Sequence, residues 1–143
     1  MSLPLPEPGL VINYAYLWHS EASAGTEEGR KDRPSTTILM EVSEINGVCE
    51  VTVLPITHSP PRMAGAAIEI PHALKSHLGL DSTPSWIVVV ECNEFNWPGY
   101  DLRKRSKTGG HEFGFMPPRF FDRVREAFLA ARAAGNVQAT ERN

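Results

Sequence analysis

Arg33 stands near the end of the polar run GTEEGRKDRP, and Thr57 closes the apolar run VTVLPIT. A guanidinium is a planar fork of donors matched to phosphate oxygens, and it stays charged at neutral pH. A threonine hydroxyl adds a neutral donor to a second oxygen of the same group. His58 follows Thr57 directly, and an imidazole with an ordinary pKa of about 6.5 moves protons at neutral pH. Neighbours in an extended chain point to opposite faces, so Thr57 and His58 share a pocket only where the backbone turns. Asp101, in WPGYDLR, is a second proton-transfer candidate, and His19, expected to end the first strand, is a third, placed to face the same loop as Arg33. Each also has a plain structural reading: a surface arginine paired with Asp32 or a glutamate, a strand-end threonine capping a turn, and hydrogen-bonded loop residues for the rest. Taken jointly, they describe a site able to grip a phosphodiester and pass a proton.

A second constellation lies between Phe95 and Arg105, where Trp97, Tyr100, Arg103, Lys104 and Arg105 interleave aromatic faces with cations. That combination stacks unpaired bases and holds their phosphates, each stacked base contributing about 1 to 3 kcal/mol. The competing expectation is that Trp97 anchors its loop in the core while the cations are solvated. A net charge of −3 and a pI near 5.9 argue against a large electrostatic footprint for nucleic acid, although a local basic groove fits an otherwise acidic body. His72 and His77 are five apart, not the spacing that puts two ligands on one helix face, so no metal or other cofactor is expected. His111 is assigned to the surface. Cys49 and Cys92 have no CxxC partner and read as buried, reduced thiols.

The elements that must position these residues read mainly as strands. With 12 prolines and 11 glycines the chain implies many turns, and its 143 residues suit one domain, 1–143, with a core over about 9–135 and flexible termini. Period-two alternation of Leu10, Ile12, Tyr14, Tyr16 and Trp18 predicts a strand from Gly9 to Trp18, followed by a loop whose glycines and Pro34 oppose regular structure. Strands follow over Thr36 to Val42 and Val48 to Ile56, joined at Asn46-Gly47 as an antiparallel hairpin. A short strand at Ala67 to Ile70 precedes a helix, HALKSHL, bracketed by Pro71 and Gly79. WIVVV within Ser85 to Phe95 predicts a central strand buried on both faces. Pro117 and Pro118 then open an amphipathic helix with Phe120, Phe121, Val124, Phe128 and Leu129 on one side, closed by Gly135. Five or six strands and two helices make a β-barrel with small α elements. No apolar run is long enough to span a bilayer and the N-terminus lacks a signal pattern, so a cytoplasmic location and no membrane partner are expected.

The glycine-bearing acidic loop ending in Arg33-Pro34, the strand ending in Pro55-Ile56-Thr57, the opening Gly9-Leu10-Val11, the later Ser85-Trp86-Ile87 and the closing helix resemble, in order and spacing, the PemK/MazF family of toxin endoribonucleases. The resemblance covers roughly Gly9 to Leu129. It implies an SH3-like barrel, a homodimer, a cognate antitoxin, and metal-independent cleavage of single-stranded RNA by attack of the 2′-hydroxyl on phosphorus. Within it, the family's catalytic arginine and threonine map to Arg33 and Thr57, with His58 or Asp101 left as proton-transfer groups. The loop Ser20 to Arg30 and the segment Phe95 to Arg105 are longer than the family pattern. Two other readings keep the same fold: an inactive SH3-like binding module for RNA or protein, and a toxin directed at DNA gyrase.

Overall fold

Leu10, Ile12, Tyr14 and Tyr16 do share one apolar cluster, with Val51, Val53 and Phe95, while Val11 between them enters a second cluster on the other face. Strand β1, Leu10–Tyr14, is therefore buried on both sides. The computed structural model describes residues 3–26, 29, 31–107 and 109–142; Glu27, Glu28 and Arg30 of the acidic loop lie outside them. The chain is mainly β, with β2 Arg33–Val42, β3 Cys49–Thr57, β4 Ala67–Glu69, β5 Trp86–Val88, β6 Glu91–Asn96, β7 Glu112–Phe115 and β8 Gln138–Glu141. Helices α1 His19–Ser23, α2 His72–Leu78 and α3 Pro118–Ala133 are set between them.

The sheet runs β4-β5-β3-β2-β1-β7, with β6 also paired to β3 and β8 to β6. Every ladder is antiparallel except β6 with β8. Among the described residues the ladders form an open, branched sheet and close no ring. Phe120, Val124 and Phe128 of α3, spaced by four, are buried in the cluster that also holds Ile38, Leu54, Ile87 and Cys92. No described helix is long and apolar enough to cross a membrane.

Several expectations need correction. The first strand stops at Tyr14, and the following loop contains α1, because two of that helix's leading N–H groups are taken by carboxylates: Trp18 N–H donates to Glu21 Oε1 at 3.1 Å and His19 N–H to Glu91 Oε1 at 3.0 Å. Strand β2 begins at Arg33, so the arginine belongs to a ladder and not to a loop. The Asn46-Gly47 signal falls at its hairpin, but the loop is longer than the two-residue form, closed by Ser43 N–H to the Val48 carbonyl at 2.8 Å. Gly79 ends α2 as expected, in the left-handed region at φ 68°.

The predicted strand Ser85 to Phe95 is two strands with a break. Both pair antiparallel with β3: β6 at Glu50 to Val53 and β5 at Ile56 and Thr57. From Val53↔Asn93 to Ile56↔Ile87, three steps along β3 span six along its partner. The extra residues bulge out beside Pro55, which has no N–H to give to a ladder. The run is consequently not buried on both faces: Ile87 and Val89 are in the core, while Val88 and Val90 are half-buried.

The tail expected to lie outside the core forms β8 and ends in a clamp. Arg142 Nη2 sits 2.9 Å from Asp101 Oδ1, with the two side chains only 3% and 13% exposed. Arg142 Nη1 also donates to the Ala15 carbonyl at 2.8 Å and to Asn93 Oδ1 at 3.1 Å. Cutting one partner from a buried ion pair costs about 3 to 5 kcal/mol, because the other charge is stranded. An Arg142→Ala variant should lose stability of that order in urea unfolding, and a change under about 0.5 kcal/mol, typical of surface sites, would show the clamp to be idle.

Candidate active site

Arg33 opens β2 and Thr57 closes β3. The pairing Ser35↔Pro55, continued by two residues on each strand, sets them level across the ladder. Both line a cleft of about 830 Å³ that also receives His58, Asp81, Glu91 and Trp18. The loop before Arg33 reaches it by passing hard against the chain leaving β1: a Cβ on Gly29 would stand 2.3 Å from the Tyr16 carbonyl oxygen and 2.7 Å from that of Ala15. Only glycine fits such an approach.

The Arg33 guanidinium lies over the Trp18 ring, 4.8 Å from its centroid, and Trp18 meets Tyr16 edge to face at 5.1 Å. Its Nε is buried with no hydrogen-bond partner. Burial pulls the guanidinium below its ordinary pKa, with Glu21 and then Tyr16 acting the other way. It still carries its charge at neutral pH. A buried donor left unsatisfied costs about 1 to 3 kcal/mol.

Thr57 Oγ1 accepts the Ser59 N–H at 3.2 Å, the turn cap anticipated for it, and its own proton remains to be donated. The chain bends there, which brings His58 to the same cleft. His58 Nε2 donates to the Asp81 carboxylate, 2.9 Å from Oδ2 and 3.1 Å from Oδ1, leaving Nδ1 as the other ring nitrogen. Asp81 Oδ1 also accepts from Lys75 Nζ at 3.3 Å and from Thr83 N–H at 3.1 Å. Lys75 is 2% exposed although it carries an ammonium. Burial alone would raise the Asp81 carboxyl, but the Lys75 hydrogen bond, the His58 charge and the Thr83 amide together hold it below the ordinary carboxylate range.

Glu91 sits where the bulge hands over to β6. Its Oε1 accepts from the Tyr16 hydroxyl and the His19 N–H, both at 3.0 Å. Burial raises its carboxyl, against the pull of those two hydrogen bonds. Tyr16 is pushed well above its ordinary value, by burial first and by Glu91 next, so it stays a phenol and a donor.

The remaining candidates are elsewhere. The Asp101 carboxylate is committed to Arg142 and does not line the cleft, so a proton-transfer role there is withdrawn. His19 begins α1 and turns its ring toward Ser23 Oγ at 3.4 Å. Trp97 stacks on Phe95, centroids 6.0 Å apart, and joins the apolar cluster, as the anchoring expectation had it. Tyr100 is 96% exposed. Arg103 Nε lies 3.8 Å from Asp32 Oδ1 at the cleft rim and its guanidinium donates to the Tyr100 carbonyl. Lys104 is exposed, and Arg105 lies over the Phe113 ring at 4.2 Å. His111, assigned to the surface, is buried, with Nδ1 unpartnered. Cys49 is half-buried and Cys92 buried, both free thiols, and burial pushes Cys92 up to about 12.

Asp81, Glu91 and Trp18 were not among the sequence candidates. Glu91 did leave a signal: a carboxylate directly after WIVVV is out of place in a strand with two apolar faces. Asp81 left none, since its role depends on a buried lysine 6 residues away. Among the described residues no three His, Cys, Asp or Glu side chains converge as a metal site. Comparison with protein-family models, curated proteins and solved structures finds no match.

A carboxyl held below its unfolded value contributes stability above the unfolded pKa, and that contribution is lost as pH falls through the folded one. The stability gap between wild type and Asp81→Asn should therefore be full at neutral pH and shrink below about pH 3.9, the unfolded aspartate value. Urea midpoints measured against pH for both proteins test this; a gap that does not shrink in acid would show that Asp81 is not the anion for His58 and Lys75.

Proposed function

We propose that this chain is an endoribonuclease of the PemK/MazF toxin type, cleaving single-stranded RNA without a metal. The observation that carries the reading is the convergence of Arg33, Thr57 and His58 on one cleft. Cleavage proceeds by attack of a 2′-hydroxyl on the adjacent phosphorus, which gathers negative charge on the phosphoryl oxygens. Arg33, with an unsatisfied buried Nε, takes that charge, and Thr57 donates to a second oxygen. His58, oriented by Asp81, gives a proton to the departing 5′-oxygen. Products carry a 2′,3′-cyclic phosphate and a 5′-hydroxyl. On the same reading the sheet closes as an SH3-like barrel, the enzyme acts in the cytoplasm as a homodimer, and a cognate antitoxin covers the cleft. The fully exposed Tyr100 favours a second reading, a module of the same fold that holds RNA or protein without cutting it.

Mixed-sequence single-stranded RNA incubated with the purified protein in EDTA separates the two. Discrete fragments with cyclic-phosphate ends are expected, and Arg33→Ala should slow their formation by about 10² to 10³. Arg33→Lys should restore little, because an ammonium lacks the planar fork. Intact RNA after prolonged incubation with wild-type protein would overturn the nuclease and leave the binder.

A further inference from the structure

We propose that Glu91 is the general base of this cleft, the group that removes the 2′-hydroxyl proton, an assignment that rests on the ribonuclease reading. Transesterification needs two proton-transfer groups, one for the attacking oxygen and one for the leaving oxygen, and these lie on opposite sides of the phosphorus in an in-line displacement. His58 supplies one of them. Its anchor comes from the α2 side, through Asp81 and Lys75. Glu91 is anchored by different elements, by Tyr16 after β1 and by the first residue of α1.

Three features set Glu91 apart from a carboxylate that merely holds a helix end. The bulge beside Pro55 re-aims this stretch of chain into the cleft, where Val88, Val90 and Glu91 all form wall. Both donors end on Oε1, so Oε2 has no hydrogen bond among the described residues and is the oxygen left for substrate. Burial in the same wall raises its basicity above that of a solvated carboxylate, toward the operating pH that general-base catalysis favours.

The proton balance is closed by groups already named. As the 2′-oxygen bonds to phosphorus its proton passes to Glu91 Oε2, and as the bond from phosphorus to the 5′-oxygen breaks that oxygen takes a proton from the His58 ring. Arg33 and Thr57 hold the phosphoryl oxygens meanwhile. The enzyme is left with a carboxylic acid and a neutral imidazole, and exchange with solvent restores both.

The test is the pH dependence of kcat/KM on a short single-stranded RNA, with wild type, Glu91→Gln and Glu91→Asp, each first matched to wild type for a cooperative unfolding transition. Glutamine keeps an oxygen to accept from Tyr16 and His19, so the anchoring role survives the substitution. Glu91→Gln should lower the rate by about 10² to 10⁴ and erase the acidic limb of the profile, while Glu91→Asp keeps that limb at a reduced rate. A substrate with sulfur at the 5′ bridging position separates base from acid, since a thiolate leaves without a proton. It should rescue His58→Ala and not Glu91→Gln. Rescue of Glu91→Gln, or a Glu91→Gln profile with the acidic limb intact, overturns the assignment while the nuclease reading stands. Wild-type protein that cuts neither substrate brings both down.

Discussion

Strand β3 must satisfy partners on both of its edges with a proline in its ladder, and the rest of the molecule is arranged around that demand. Along one edge it meets β2; along the other it meets β6 first and β5 afterwards. A prolyl residue withholds one N–H, so a continuous second ladder past Pro55 is not available, and the facing chain takes up slack there. The displaced residues have to go somewhere other than the packed core. They become the wall of the cleft, which puts a carboxylate in the same cleft as Arg33 and Thr57. An irregularity in hydrogen bonding is thus the means by which an apolar sheet acquires a polar site at its margin.

The charges of that site are held by neighbours and not by water alone. Arg33 rests on an aromatic face, and Glu91 is held by a phenol and a backbone amide. His58 is steered by an aspartate that is itself steadied from beneath by a buried lysine. Preorganisation of this kind matters because groups that need not reorient during the reaction stabilise charge at least cost. The overall acidity of the chain is no obstacle to an anionic ligand on this view. What decides is the Arg33 guanidinium, which lines the cleft and stays charged at neutral pH.

Much of the fold was legible in the residues, for reasons of period and punctuation. Alternation through Tyr16 named the right apolar set, and the spacing of Phe120, Val124 and Phe128 named the buried stripe of α3. Gly79 and Gly135 marked the ends of two helices. The antiparallel pairing of the strands that carry Arg33 and Thr57 was also within reach, because the hairpin at Asn46-Gly47 ties them together. What stayed out of reach depended on contacts distant in sequence. The break in WIVVV is set by a proline on another strand, α1 by carboxylates outside or late in its own first turn, and β8 by a parallel partner more than 40 residues earlier. Asp101 and Arg142 looked like site and tail, and are instead partners in a buried ion pair.

One carboxylate shared by an imidazole and an ammonium has a consequence for how the molecule responds to a ligand. Asp81 meets an imidazole at the surface through both oxygens and the buried ammonium of Lys75, a residue of α2, through Oδ1. Drawing the imidazole away leaves the anion to the ammonium and the Thr83 N–H, and loosening α2 leaves it to the imidazole and that same N–H. Where a ligand in the cleft draws on His58, its binding and the seating of α2 are linked through Asp81, and linkage makes any such coupling reciprocal.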